Sequence, residues 1–443
     1  MSPSRRPAWW LVDRTSMTKR TVLLGITGLV VAGAVAVASV LAGAFESSVV
    51  TKDVTTPLTA EEMKRLAPRG AYVATVADCY ACHTAKGGAP WAGGMPFQTP
   101  FGTLYATNIS PDKEFGIGNW TRADFHRAVQ DGIGKTGMNL YPAMPYTSYR
   151  QMSADDVDAV YAYLMTREPM RVENRKNELT FPFNIRQSLA FWNLLNLQRS
   201  GFLPDDKRSA LWNRGHYIVD ALAHCGECHT PRNLMQGMKL SEYLKGAVME
   251  GVEAPDITKE GLTRMGFDPQ TLAKFMKSGV SALGSMTNQM FEVVHFSTQY
   301  MRDGDLEAMA AYLFDLDSIP STSSAPRAPA PVEVPAQVAT AARATYDNLC
   351  AGCHGANGQG IPHVAVPLST NIALRLVSPR NAIHAVLNGI PAQRFPGLER
   401  MEPMPGFADL LDDHAIADLA NWMRARWGGH QPSLTAGDIA KLR

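Results

Sequence analysis

The six cysteines of this 443-residue chain fall into three pairs, Cys79/Cys82, Cys225/Cys228 and Cys350/Cys353, and a histidine follows each pair at once: His83, His229 and His354. Few features constrain a fold as tightly. Two intervening residues put both thiols on one helical turn, and the adjoining imidazole stands beside them. The three copies lie more than 120 residues apart. The chain is therefore expected to repeat a unit three times.

A C-x-x-C pair alone would suit zinc or a redox dithiol. Zinc needs two such pairs close enough to complete a tetrahedron, and a dithiol leaves the histidines unexplained. C-x-x-C-H is instead the attachment signal for a c-type haem: the thiols add to its two vinyl groups and the histidine takes the iron. The expectation is three covalently bound haem c groups, with no cysteine left for a disulfide or a catalytic thiol.

Residues 1–20 carry Arg5, Arg6, Arg14, Lys19 and Arg20 against Asp13 alone, and residues 21–45 hold no charge. A run of that length fits the roughly 17–25 residues that cross a bilayer as a helix. The basic flank 1–20 should stay cytoplasmic, which places the haem units in the periplasm against the inner membrane. Ala42-Gly43-Ala44 offers the alternative of a cleaved signal. The remainder is globular in composition, 45% apolar and 19% charged. With 42 basic against 41 acidic residues there is no phosphate-neutralising surface, and nucleic acid is not an expected partner.

The units align beyond the motif. Arg69-Gly70-Ala71-Tyr72 precedes the first and Arg214-Gly215-His216-Tyr217 the second, each on an upstream helix, while the third has only Thr345-Tyr346. Extended segments follow, Thr107-Asn108-Ile109-Ser110 and Pro255-Asp256-Ile257-Thr258. A helix then starts at a capping box (Thr121 to Asp124) or at a cap before proline (Asp268-Pro269, Ser378-Pro379) and stops near Gly132, Gly279 or Gly389. Amphipathic helices over 155–165, 303–314 and 413–427 close the units. The fold class is all-α, with three tandem domains over 58–170, 206–318 and 337–432 after a transmembrane helix or signal at 21–45. Residues 319–336, rich in Pro, Ala and Ser, form an extended spacer.

A methionine in the loop before each closing helix can supply the sixth iron ligand. Met144 stands 61 residues after His83, and Met290 stands 61 after His229, which favours Met290 over Met286 at 57. Met404 stands 50 residues after His354, in a visibly shorter unit, with Met401 as its competitor.

Leu104-Tyr105-Ala106-Thr107-Asn108-Ile109-Ser110-Pro111-Asp112, Leu140-Tyr141-Pro142-Ala143-Met144-Pro145-Tyr146, His224-Cys225-Gly226-Glu227-Cys228-His229-Thr230-Pro231-Arg232-Asn233 and Met404-Pro405-Gly406-Phe407 together resemble the tri-haem cytochrome c subunit of bacterial periplasmic dehydrogenases. The alcohol, aldehyde, gluconate and fructose enzymes have such a subunit. The resemblance covers about residues 58–430. It implies cytochrome c-like domains with iron ligands His83/Met144, His229/Met290 and His354/Met404. It also implies a catalytic partner subunit carrying flavin, molybdenum cofactor or a quinone, and delivery of electrons to membrane ubiquinone. The chain itself is then no enzyme. Alternatives are a multi-haem peroxidase-like enzyme with one open iron, or a stand-alone carrier donating to a terminal oxidase.

Overall fold

The computed structural model describes residues 52–197, 200–323 and 329–443, with Leu24, Gly25, Thr27, Gly28 and Gly33 of the N-terminal run. The expected anchor at 21–45 thus falls almost wholly outside the described residues, as do 324–328 of the spacer. Among the described residues no helix is long and apolar enough to cross a membrane.

Each unit is built on two packed helices. In the first these are α1 (Ala60–Val76), opened by a Thr59/Glu62 capping box, and α2 (Ala154–Met165), capped by Ser153. The second contains α3 (Ala210–His216), α4 (Pro269–Ser278), α5 (Gln289–Phe296) and α6 (Asp303–Leu313). The third contains α7 (Ala336–Leu349), α8 (Arg380–Asn388) and α9 (Asp413–Met423). The helix entering the cysteine motif packs on the helix that closes the unit: α1 on α2, α3 on α6, α7 on α9. At the first two crossings the backbones nearly touch. A Cβ on Gly70 would lie 1.8 Å from the Ala159 carbonyl oxygen, and one on Gly215 would lie 1.9 Å from that of Ala308. Only glycine fits there. The third unit carries buried Ala342 and Tyr346 on α7 instead.

One local irregularity separates units one and two. Gly70 stands nine residues before Cys79, but Gly215 stands ten before Cys225. After α3 the chain makes a wider turn over Tyr217–Leu222, in which the Ala223 N–H bonds the Ile218 carbonyl five residues back. In unit one the Ala77 N–H bonds Val73, four back. The extra residue is absorbed in that turn.

The fold is largely helical, but it is not free of strands. β1 (Pro96–Thr99) and β2 (Gly102–Tyr105) form a hairpin joined by β3 (Glu178–Leu179), and β4 (Ala247–Met249) pairs with β5 (Val252–Ala254). These ladders are two to four residues long, too short to leave a period-2 pattern. A smaller correction concerns Pro379, expected at the first helical position. It is the N-cap of α8, and the Ser378 hydroxyl accepts the Arg380 N–H.

The cores do not divide three ways. Units one and two share one apolar core, which runs from Val73 and Val160 through Ile218 and Leu222 to Leu306 and Met309. Unit three has its own, around Tyr346, Ile383, Leu419 and Trp422. It docks on unit two through polar contacts. Asn381 exchanges two hydrogen bonds with the Glu253 backbone (2.7 and 2.8 Å), and the Ile372 N–H bonds the Leu283 carbonyl at 2.9 Å. The described end of the spacer also meets unit three, where the Val332 N–H bonds Ala425.

Candidate haem sites

Each cysteine motif occupies a single helical turn: Cys79–Cys82, Gly226–His229 and Ala351–His354. The residue before the first cysteine bends the chain into that turn. Asp78 (φ 52°) and His224 (φ 42°) both take the left-handed conformation, which is unusual outside glycine and tolerated best by Asp, Asn and His.

The decisive geometry lies on the histidines. His83 Nδ1 is 2.7 Å from the Thr107 carbonyl oxygen, His229 Nδ1 is 2.7 Å from that of Pro255, and His354 Nδ1 is 2.9 Å from that of Val366. A carbonyl can only accept, so Nδ1 holds the ring hydrogen and Nε2 keeps its lone pair. Burial lowers all three imidazole pKa values, with the carbonyl bonds opposing, so the rings are neutral. A neutral ring with its far nitrogen hydrogen-bonded and its near nitrogen free is a prepared metal ligand.

The hairpins deliver these carbonyls. β2 ends at Tyr105, two residues before Thr107, and β5 ends at Ala254, next to Pro255. In unit three a lone bridge between Ile361 and Ala365 does the same for Val366. Sequence reasoning aligns the Thr107 and Pro255 segments without finding this role, because a backbone acceptor leaves no side-chain signature.

All six thiols are free. Burial pushes Cys79, Cys82 and Cys225 up to about 12 and Cys350 to about 11, which keeps them thiols and unlike an activated redox pair. The three pairs, equivalent in sequence, differ in setting, and Cys353 departs furthest. The first cysteine of every pair is partly buried, as is Cys82, whereas Cys228 and Cys353 are exposed. At Cys353 the cause is the open outer side of its turn. A Cβ on the preceding Gly352 would meet nothing within 4 Å, while one on Gly226 of the second motif would run into the Tyr243 ring at 2.4 Å. Cys353 is still held in the turn by its N–H, which bonds the Cys350 carbonyl at 3.2 Å, and His354 beside it is buried. Among the described residues no three His, Cys, Asp or Glu side chains converge to hold a bare metal ion. A free thiol pair beside a prepared imidazole, three times over, fits covalent haem.

The methionines can be placed by backbone register. The Leu140 N–H bonds the carbonyl of the helix-ending Gly132, and the Met286 N–H bonds that of the equivalent Gly279. Met286 therefore stands where Leu140 does, and it is buried in the shared core. Four residues further on, Met144 and Met290 occupy the same place, both half-buried at the edge of that core. Met290 begins in the first turn of α5, whereas Met144 precedes a short helix, Tyr146–Tyr149. In unit three, Met404 and Ile390 exchange two backbone bonds of 2.9 Å, while Met401 pairs with Gln393.

A cytochrome c family model matches residues 67–168 and 339–427. The fructose dehydrogenase cytochrome subunit of Gluconobacter japonicus is 34% identical, over 88% of this chain and 85% of the relative. The gluconate 2-dehydrogenase cytochrome c subunit of Pantoea cypripedii is 36% identical, over 85% and 89%. The chain belongs to the cytochrome c subunits of dehydrogenases. A nicotinate dehydrogenase subunit of Pseudomonas putida is also similar, 40% identical over 82% of this chain, which spans 30% of that longer protein. For a dehydrogenase cytochrome c subunit the cofactor is covalently held haem c and the work is electron transfer. Several side chains near the sites escape the sequence reading, Glu227 foremost. It lies between the two thiols of the second motif and accepts bonds from Thr147 and Ser148 of unit one and from Arg232.

Proposed function

We propose that the chain is the electron-transfer subunit of a dehydrogenase complex at the periplasmic face of the inner membrane, and that it carries electrons through three c-type haems to ubiquinone. The observation that carries this reading is the threefold recurrence of one arrangement: a free thiol pair, a histidine and a backbone carbonyl that fixes the histidine's tautomer. Cys79/Cys82, Cys225/Cys228 and Cys350/Cys353 hold the haems. His83, His229 and His354 are the proximal ligands, and Met144, Met290 and Met404 take the opposite faces. The equal register of Met144 and Met290 favours Met290 over Met286. The units are residues 58–170, 206–318 and 337–432, joined by the spacer 319–336, and residues 21–45 anchor the chain.

Haem, when bound, supplies a one-electron couple, and thioether ligation raises its potential. The chain's residues do the rest. The carbonyls of Thr107, Pro255 and Val366 orient the imidazoles, and the histidine–methionine pairs leave no position open to substrate. The chemistry on the substrate thus falls to a partner subunit with flavin, molybdenum cofactor or a quinone. The relatives are themselves named as cytochrome subunits of such enzymes.

Mass analysis of the mature chain should find three haem adducts, and gentle extraction from membranes should bring a catalytic subunit with it. Reduction by that subunit's substrate should pass on to a ubiquinone analogue. Fewer than three adducts, or a pure chain that never co-purifies with a dehydrogenase, would refute the reading.

A further inference from the structure

The contacts between units one and two are reciprocal. Tyr72, on α1, donates its hydroxyl hydrogen to Asp305 at 2.5 Å and accepts the Arg302 N–H at 3.1 Å. Tyr217, just after α3, donates to Asp156 at 2.7 Å and accepts the Ser153 N–H at 2.9 Å. Arg302 and Ser153 are the N-caps of α6 and α2, and each aspartate stands three residues further on. Each aspartate is also paired within its own unit, Asp156 with Arg69 at 2.8 Å and Asp305 with Arg214 at 2.7 Å. Each unit thus offers the other the same tyrosine and the same aspartate, as in an isologous dimer. The Arg-Gly-x-Tyr motif is thereby explained: arginine pairs at home, glycine admits the crossing helix, and tyrosine reaches across.

The haem sites lie on the same interface, also reciprocally. Glu227, inside the second cysteine motif, accepts hydrogen bonds from Thr147 and Ser148, just beyond Met144. Tyr80, inside the first motif, packs on Phe296 at the end of α5, the helix that carries Met290, with ring centroids 5.6 Å apart. Each haem turn faces the other unit's methionine segment. Each clamp tyrosine stands seven or eight residues ahead of a haem turn, and each acceptor aspartate follows a methionine segment. Unit three has no counterpart: Tyr346 bonds within its own unit, to the Gly355 carbonyl at 2.6 Å.

We propose that Tyr72 with Asp305 and Tyr217 with Asp156 are paired positioning contacts that hold the first two haem sites at a fixed distance and angle. This rests on the haem reading given above. Phenolic hydroxyls are suited to the task, because each lost bond strands a buried carboxylate oxygen and so favours one docking over near alternatives. Tyr72 is itself pushed up to about 12, by burial first and then by its bond to Asp305, so it stays a donor at any working pH.

The test uses the full haem-loaded protein and the variants Tyr72→Phe, Tyr217→Phe and the two combined. Each change removes only a hydroxyl. The Soret circular dichroism of the parent should show the bisignate couplet of two closely held haems. The combined variant should lose that couplet while its haem count per chain and its thioether-to-iron absorption stay those of the parent. A couplet undiminished in the combined variant overturns the proposal, and so does a parent without one. Should the combined variant fail to fold, each single variant is expected to show a reduced couplet, and unreduced couplets in both overturn the proposal equally. A parent with fewer than three haems would refute the haem reading itself, a result distinct from an unchanged couplet in a fully loaded protein.

Discussion

A histidine is a useful iron ligand only when the correct nitrogen is free, and in this chain a backbone carbonyl makes that choice three times. The methionines are chosen by register in the same way. Met290→Leu should abolish the thioether-to-iron absorption of one haem, whereas Met286→Leu, a change within the core, should leave all three bands in place. If Met286→Leu removes a band and Met290→Leu does not, the assignment is reversed. Asp158 sets a second residue-scale expectation. Burial alone would raise its carboxyl, but bonds from His126 (2.9 Å), Arg122 (2.5 and 2.6 Å) and Lys52 (3.1 Å) outweigh burial and hold it well below the usual carboxylate range. The folded state then keeps this group ionised where the unfolded chain is already protonated. Its stabilising effect is complete above about pH 4, the unfolded value, and is lost as the pH falls through the folded value. Urea unfolding of Asp158→Asn should therefore show weaker stability at neutral pH and a flatter decline on acidification than the parent. Cysteines and proximal histidines were legible in the sequence because covalent attachment fixes their spacing. The exposed setting of Cys353 was not, because spacing says nothing of what packs around a turn. Nor were the carbonyl acceptors and Glu227, since nothing in a linear pattern says which backbone atom a ring will meet.

At the scale of the element, the helix signals translated well where they were local. The capping boxes at Thr121 and Asp268 and the stops at Gly132 and Gly279 all stand where the sequence puts them. The short hairpins did not show, being set by glycine turns and by their contacts with the motif. Gly70 and Gly215 appeared only as parts of a repeated tetrapeptide, and the crossing helices supply their reason. Gly70→Ala and Gly215→Ala should each cost about 1–3 kcal/mol, because the added methyl must push two packed helices apart. Denaturant unfolding would register this as a lower midpoint, and an unshifted midpoint would show that the crossing can relax.

For the whole molecule, the chain reads as three units but packs as two bodies. Apolar stripes such as Val157, Val160 and Leu164 announce a buried face without saying whose residues cover it, so the shared core of units one and two was not legible. The third unit is held by few and mostly polar contacts, which makes its docking separable. Asn381→Ala should speed hydrogen exchange at the Glu253 amide, which loses its acceptor, while leaving amides in the core of unit two unaffected. Exchange that stays slow at Glu253 would mean that other contacts carry the docking. The wide turn after α3 has a consequence of its own. It lets one tandem copy be a residue longer than its neighbour and still present both sulfurs in phase. Length drift after duplication is thus tolerated on the approach to the porphyrin rather than at it, and a fixed-offset alignment of the copies will slip by one just ahead of the cysteines.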